Sequence, residues 1–167
     1  MSDLGPLVRY FDAEKSAALL AMALGGVSLG GAVWAHRYAD SLRALMYPLA
    51  IVGLLQLALG IGLYMRTPGQ VAELRAGFDS NPQKTAEAEL LRMRRVNRNF
   101  VWIEVVEGVF LLVGFGLVLG MKGRPAAAVG LGLLLESAAM LAFDVFAERR
   151  GEAYQTWLEP RVSDKAP

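Results

Sequence analysis

The sequence predicts an all-α integral membrane protein: four transmembrane helices in two antiparallel hairpins, with helical extensions on the cytoplasmic side. Three observations carry this. The 167 residues are 54% hydrophobic, with a mean hydropathy of +0.37. Their apolar residues are gathered into four runs, Ser16–Ala35, Leu45–Met65, Asn99–Gly120 and Pro125–Ala147. About 20 apolar residues are needed to cross a ~30 Å hydrocarbon core as a helix, and each run reaches that length. Finally, the first two runs hold no charged residue at all, whereas a soluble bundle of this size shows a polar stripe on every helix.

Sidedness follows from the basic residues. Of the 17 Lys and Arg, 13 lie before the first run, between the second and third, or after the fourth; only Arg37, Arg43, Lys122 and Arg124 lie in the two short connections. Lys and Arg near helix ends favour the cytoplasmic face. The sequence therefore reads as one membrane domain, 1–167, in a plasma or bacterial inner membrane, with both termini, the loop 66–98 and the tail 148–167 cytoplasmic. The first run is longer than the 7–15-residue core of a cleaved signal and reads as a retained span. A formal charge of +1 gives no footing for nucleic acid, and the absence of cysteine excludes disulfides, thiolate metal sites and thiol catalysis.

In chain order, Pro6 suits the first turn of a short interfacial helix over residues 1–15. The first span holds Gly26-x-x-x-Gly30, a spacing that lets membrane helices approach closely, within the chain or between copies. Trp34 and Tyr38 mark its outer end at headgroup level. His36 is the only histidine, too few for a typical haem or zinc ligand set. Pro48 opens the second span, where its missing donor costs little, and Gln56 lies near that span's midpoint. Thr67-Pro68-Gly69-Gln70 reads as a capping box starting a new helix of about two turns that ends near Gly77. Its apolar residues Val71, Leu74 and Phe78 fall on one face, predicting a helix on the membrane surface. Asn81-Pro82 starts another helix, and with no breaker before Gly120 the spacing predicts one rod over 82–120. A four-residue turn, Met121–Arg124, folds the fourth span back on the third. Beyond Ala147 the helix is expected to continue to about Leu158, with Tyr154, Trp157 and Leu158 packing on Leu90, Leu91 and Met93.

The chemistry lies in the polar residues of the spans. Glu104 and Glu107 sit one helical turn apart on the third span. By counting in at 1.5 Å per residue, Glu136 reaches a depth similar to that of Glu107 from the opposite side. Carboxylates at mid-bilayer cost roughly 2.5–3.5 kcal/mol each on insertion scales and mark function by default. Three of them cannot all be ionised side by side, so they share protons, hold a cation or take guanidinium partners. The leading expectation is a site binding, and translocating, protons or a small cation at Glu104, Glu107 and Glu136, with Gln56 as a fourth ligand and a bound cation as the one implied cofactor. Arg94, Arg95 and Arg98 are expected to hold lipid headgroups or another anionic group, and Asp144 to form a structural ion pair with Arg95 or Arg98. Membrane lipids, and a second copy or another membrane subunit, are the expected partners. Two alternatives remain: an accessory subunit whose carboxylates satisfy one another or a partner chain, and a membrane enzyme acting on a lipophilic substrate at the cytoplasmic interface.

Overall fold

Four long helices carry nearly all of the computed structural model, which describes residues 4–163; Lys165 of the basic tail and the other end residues of the 1–167 domain lie outside them. They are α1 (Gly5–Tyr38), α2 (Met46–Ser80), α3 (Pro82–Gly120) and α4 (Arg124–Ser163), with a 3₁₀ segment, Asp40–Leu45, between α1 and α2. No strand occurs among the described residues. All four helices are long and apolar enough to cross a membrane, consistent with a multi-pass membrane protein.

The helices pack most extensively as two couples, α1 with α2 and α3 with α4, and only sparsely between couples. Glycines set both close approaches. A Cβ on Gly25 would lie 2.7 Å from the Gly53 carbonyl oxygen, and one on Gly114 would lie 2.9 Å from that of Gly130. In each couple the backbones touch with no side chain between them, as small residues allow in membrane helices. Gly26 and Gly30 take no part: a Cβ on either meets nothing within 4 Å. The expected pair of small residues therefore lies on an open face, and its neighbour Gly25 makes the contact.

Two expectations for the segments outside the apolar runs are corrected. The Thr67–Gln70 box does not start a helix, because α2 runs through Pro68 to Ser80 and Thr67 Oγ1 donates back to the Leu63 carbonyl at 2.7 Å. An internal proline costs about 3 kcal/mol, and here the uninterrupted rod carries Val71, Leu74 and Phe78 into an apolar core instead of onto a membrane surface. Residues before Ser16 are not an interfacial helix either: α1 is continuous, and Leu7 and Phe11 are fully buried in that same core. The segment 66–98 is helical throughout except at Asn81, which separates α2 from α3; its side chain accepts from Lys84 N at 3.1 Å and caps α3. The predicted rod over 82–120 is present as drawn. α4 continues past Leu158, through Pro160.

Apolar burial is concentrated at the two ends. At one, Leu7, Phe11, Phe78, Ala86, Leu90, Met93, Tyr154 and Leu158 from all four helices make the core of a head; at the other, Ala32, Ala35, Leu45, Leu49 and Ala128 close the bundle. Leu91, expected in the first of these, is 63% exposed instead. Between the ends the large apolar side chains face outward, as with Leu54, Leu112 and Val105, and only 11% of the apolar stretch of α3 is buried. This reverses the pattern of a soluble bundle, whose apolar stripe faces inward along its length.

Candidate functional site

Sparse packing between the two couples leaves a cavity of about 940 Å³ between them. Its walls are mainly apolar, including Ala17, Ala21, Leu59, Phe100, Met140 and Phe143. Gln56 and Asp144 are its inner polar residues, and Glu14, Arg66, Glu73, Arg92 and Arg150 belong to its charged rim. Gln56 lies ten positions before Arg66 in α2, about 15 Å deeper at 1.5 Å per residue. Beyond Gln56, Pro48 presses against Gly132, so that α2 and α4 meet with no room for a Cβ.

Gln56 and Asp144 each belong to a buried polar pair. Gln56, 2% exposed, donates from Nε2 to Glu136 Oε2 at 3.1 Å and to Met140 Sδ at 3.3 Å. Its Oε1 has no partner. The second pair is Glu107 on α3 and Asp144 on α4, both buried, whose carboxyl groups lie within hydrogen-bonding reach of each other. As ionised carboxylates both are acceptors only, and Glu107 Oε2 and Asp144 Oδ2 are then buried without a donor. A single proton held between them turns the same contact into a hydrogen bond. Glu104 is the other charged neighbour of Glu107, and its own Oε1 is buried without a partner.

The sequence-predicted residues are thus brought together in a different combination. Glu136 goes to Gln56 in an interhelical hydrogen bond, and it is not among the charged neighbours of Glu107. Glu107 and Glu136 are reached by different partners, and among the described residues no three acidic or imidazole groups gather to hold a metal ion. Asp144 makes no ion pair with Arg95 or Arg98 among the described residues; its neighbour is Glu107. The reason is register: Asp144 lies on the face of α4 that lines the cavity, while Arg94, Arg95 and Arg98 are exposed and lie off it.

At the rim the sequence reading placed Arg92 with the lipid-facing run of Arg94, Arg95 and Arg98 and missed its partner Glu89. Glu89 is 3% exposed and takes two bonds from Arg92, 2.7 Å from Nε and 2.8 Å from Nη2. The signal was spacing: Arg92, Val96, Phe100 and Ile103 follow one another at helical offsets down the cavity wall, a face that Arg94 and Arg95 do not share. Glu14 lies 3.7 Å from Arg66 and 3.4 Å from Thr67 Oγ1. Burial still pushes its carboxyl above the usual range, against the pull of Arg66 and Arg92. Burial, with Glu14 nearby, pushes the Tyr10 hydroxyl up to about 12. Tyr10 stacks on Tyr154 at 4.5 Å, and burial next to Glu89 drives the Tyr154 hydroxyl well above its ordinary range too. Asn97 donates to Gln155 Oε1 on α4 at 2.8 Å, with Gly151 leaving room for its amide.

Comparison with protein-family models, with curated proteins and with solved structures finds no match to this chain.

Proposed function

We propose that this chain is a four-span protein of the plasma or bacterial inner membrane, built as two hairpins with both termini cytoplasmic. In this reading it binds protons at mid-membrane and moves them, or a small cation exchanged for them. The observation that carries the proposal is the Glu107–Asp144 pair. Two carboxyl groups in contact inside a wall of apolar side chains are compatible with burial once they share a proton, and such a pair titrates as a unit. The cavity that Asp144 lines leads from this pair to the charged rim, while Pro48 on Gly132 and the apolar cluster around Ala35 and Leu49 pack the opposite end of the bundle.

A proton, or a small monovalent ion replacing it, suits this site better than a divalent metal. Calcium and magnesium take six or more oxygen ligands, and the carboxylates here are divided between two partners. Outward-facing apolar side chains along the middle of all four helices support the membrane placement. In the same frame Arg94, Arg95 and Arg98 are exposed cations at the cytoplasmic boundary, placed to meet anionic lipid headgroups.

Infrared difference spectroscopy of the protein in lipid nanodiscs tests the proposal. A protonated-carboxyl band should appear on lowering pH and be lost in both Glu107→Gln and Asp144→Asn. Proteoliposomes should carry a proton flux that falls in the same two variants. A band and a flux unchanged in both would end this reading.

A second reading has one observation in its favour. α3 has the least-buried apolar stretch of the four helices, 11% against 22–28% for the others. That face would suit another copy of the chain or a partner membrane subunit, with the carboxylates serving the assembly. A monodisperse single chain after mild detergent extraction would count against it.

A further inference from the structure

A cavity of about 940 Å³ is far larger than a proton or a bare cation needs. We infer that it is the binding site of a lipid-soluble guest, a lipophilic cation carrying N–H donors, seated between the two couples with its donors on Gln56 Oε1 and the Asp144 carboxylate. This rests on the proton reading above, because the guest's charge is balanced by the carboxylate that is uncovered when the shared proton leaves.

Three observations define the guest. The walls are alkyl and aromatic, so its body is apolar. Gln56 lines the cavity, its exposure is 2%, and its one free atom, Oε1, is a buried acceptor. A buried acceptor left without a donor costs about as much as a lost hydrogen bond, so a guest that donates is favoured over one that only accepts. The remaining inner polar residue, Asp144, is also an acceptor once its proton has gone. A guest with an anionic head would meet two acceptors at the inner end and is disfavoured there.

The route in is lateral. A groove of about 500 Å³ runs between α1 and α4 and shares Ala17, Leu24, Phe143 and Arg150 with the cavity. Apart from Arg150 it is lined mainly by apolar groups such as Leu20 and Phe146, so a molecule dissolved in the bilayer can settle there with only the Ala17, Leu24 and Phe143 side chains between it and the cavity. α1 packs only sparsely on α4 along this seam.

Occupancy then competes with the proton. The charged groups facing the guest are Asp144 on α4, backed by Glu107 and Glu104 on α3, with Glu136 on α4 behind Gln56. At the rim stand Glu14 on α1, Arg66 and Glu73 on α2, Arg92 on α3 and Arg150 on α4. Arg92 is held by Glu89, and Arg66 lies beside Glu14, so two of the three rim cations are already offset.

Ethidium, a permanent lipophilic cation with N–H donors and an environment-sensitive fluorescence, is the probe. Full-length protein in nanodiscs is titrated at pH 8.5 and pH 5.5, with empty nanodiscs as the baseline. Saturable binding to one site per chain is expected at pH 8.5, weaker by roughly tenfold at pH 5.5. Gln56→Leu and Asp144→Asn should each weaken it by roughly tenfold, the scale of one lost hydrogen bond to a charged or buried group. Ala21→Trp fills the cavity from α1 without touching a polar group, and should abolish binding while the carboxyl infrared band persists. Absence of saturable binding above the nanodisc baseline, or equal affinity in Ala21→Trp and wild type, would overturn the inference. The infrared band of the ligand-free protein reports on the proton reading by itself, so the two can fail separately.

Discussion

Gln56 on α2 donates to Glu136 on α4 across 3.1 Å, joining residues 80 positions apart in the chain. It is a polar tie between the two helix couples, in a region where few other contacts link them. Removing the donor strands a buried carboxylate, which costs about 1–3 kcal/mol. Gln56→Ala should therefore lower the thermal midpoint in detergent by several degrees, while Glu136→Gln, which keeps an acceptor for Gln56, should lower it much less. Equal losses in the two variants would show that the tie contributes nothing.

Two neighbouring glycines give a sharper contrast. A Cβ on Gly25 meets the Gly53 carbonyl oxygen at 2.7 Å, while one on Gly26 meets nothing within 4 Å. Because the obstacle is backbone, Gly25→Ala must spread α1 from α2, a misfit costing about 1–3 kcal/mol. Gly26→Ala should be neutral or stabilising by about 0.5–1 kcal/mol, the helix preference for Ala over Gly. Thermal unfolding of the two variants side by side measures the difference.

At the rim, Arg92 and Arg95 are three positions apart and should behave differently. Arg92→Ala leaves Glu89, 3% exposed, without its cation. Breaking a buried pair in this way costs about 3 kcal/mol or more, and the head should unfold at lower denaturant. Arg95 is exposed and makes no ion pair among the described residues, so Arg95→Ala should change stability by less than about 0.5 kcal/mol. Circular dichroism through a denaturant series separates them.

Alkaline pH should loosen the head. Burial holds the Tyr10 hydroxyl at about 12, against an ordinary value of 10.0. The unfolded chain then loses its proton first, so the stability contributed by this group is complete below about pH 10 and is lost as pH rises toward about 12. Tyr154 acts in the same direction. The tyrosinate absorbance of Tyr10 and Tyr154 should rise together with the loss of helix, and Tyr10→Phe should flatten the alkaline limb of the stability curve. Tyrosinate appearing at pH 10 with the fold intact would contradict this.

Much of the architecture was legible because its signals are local. Run length marked the four long apolar helices, Asn81-Pro82 marked the start of α3, and the lack of a breaker gave its length. Thr67–Gln70 misled because a capping box and a proline tolerated within a helix share the same letters. What decided between them was the packing of Phe78 and Leu74 on distant residues such as Leu7 and Leu158, which no window of α2 contains. The site divided in the same way. Gln56 and the carboxylates were conspicuous as polar residues in apolar runs. Their pairing depends on the rotation of α3 and α4 about their own axes, and counting depth along a helix does not give rotation. Depth alone placed Glu107 opposite Glu136; rotation sends Glu107 to Asp144 and Glu136 to Gln56. Glu89 was overlooked because it lies in a charged stretch where a solvated face is the usual outcome.

The mirrored approaches of Gly25 on Gly53 and Gly114 on Gly130 have a mechanical consequence. With backbone seated on backbone, neither couple can shear internally without collision, so each behaves as a stiff plank. The join between planks is soft by comparison, fastened mainly by the head at one end and by the Ala35–Leu49 cluster at the other. The easiest deformation is therefore a bowing of one plank away from its neighbour at mid-length. Such a gape would widen the chamber where Gln56 and Asp144 stand while every helix keeps its own hydrogen bonds.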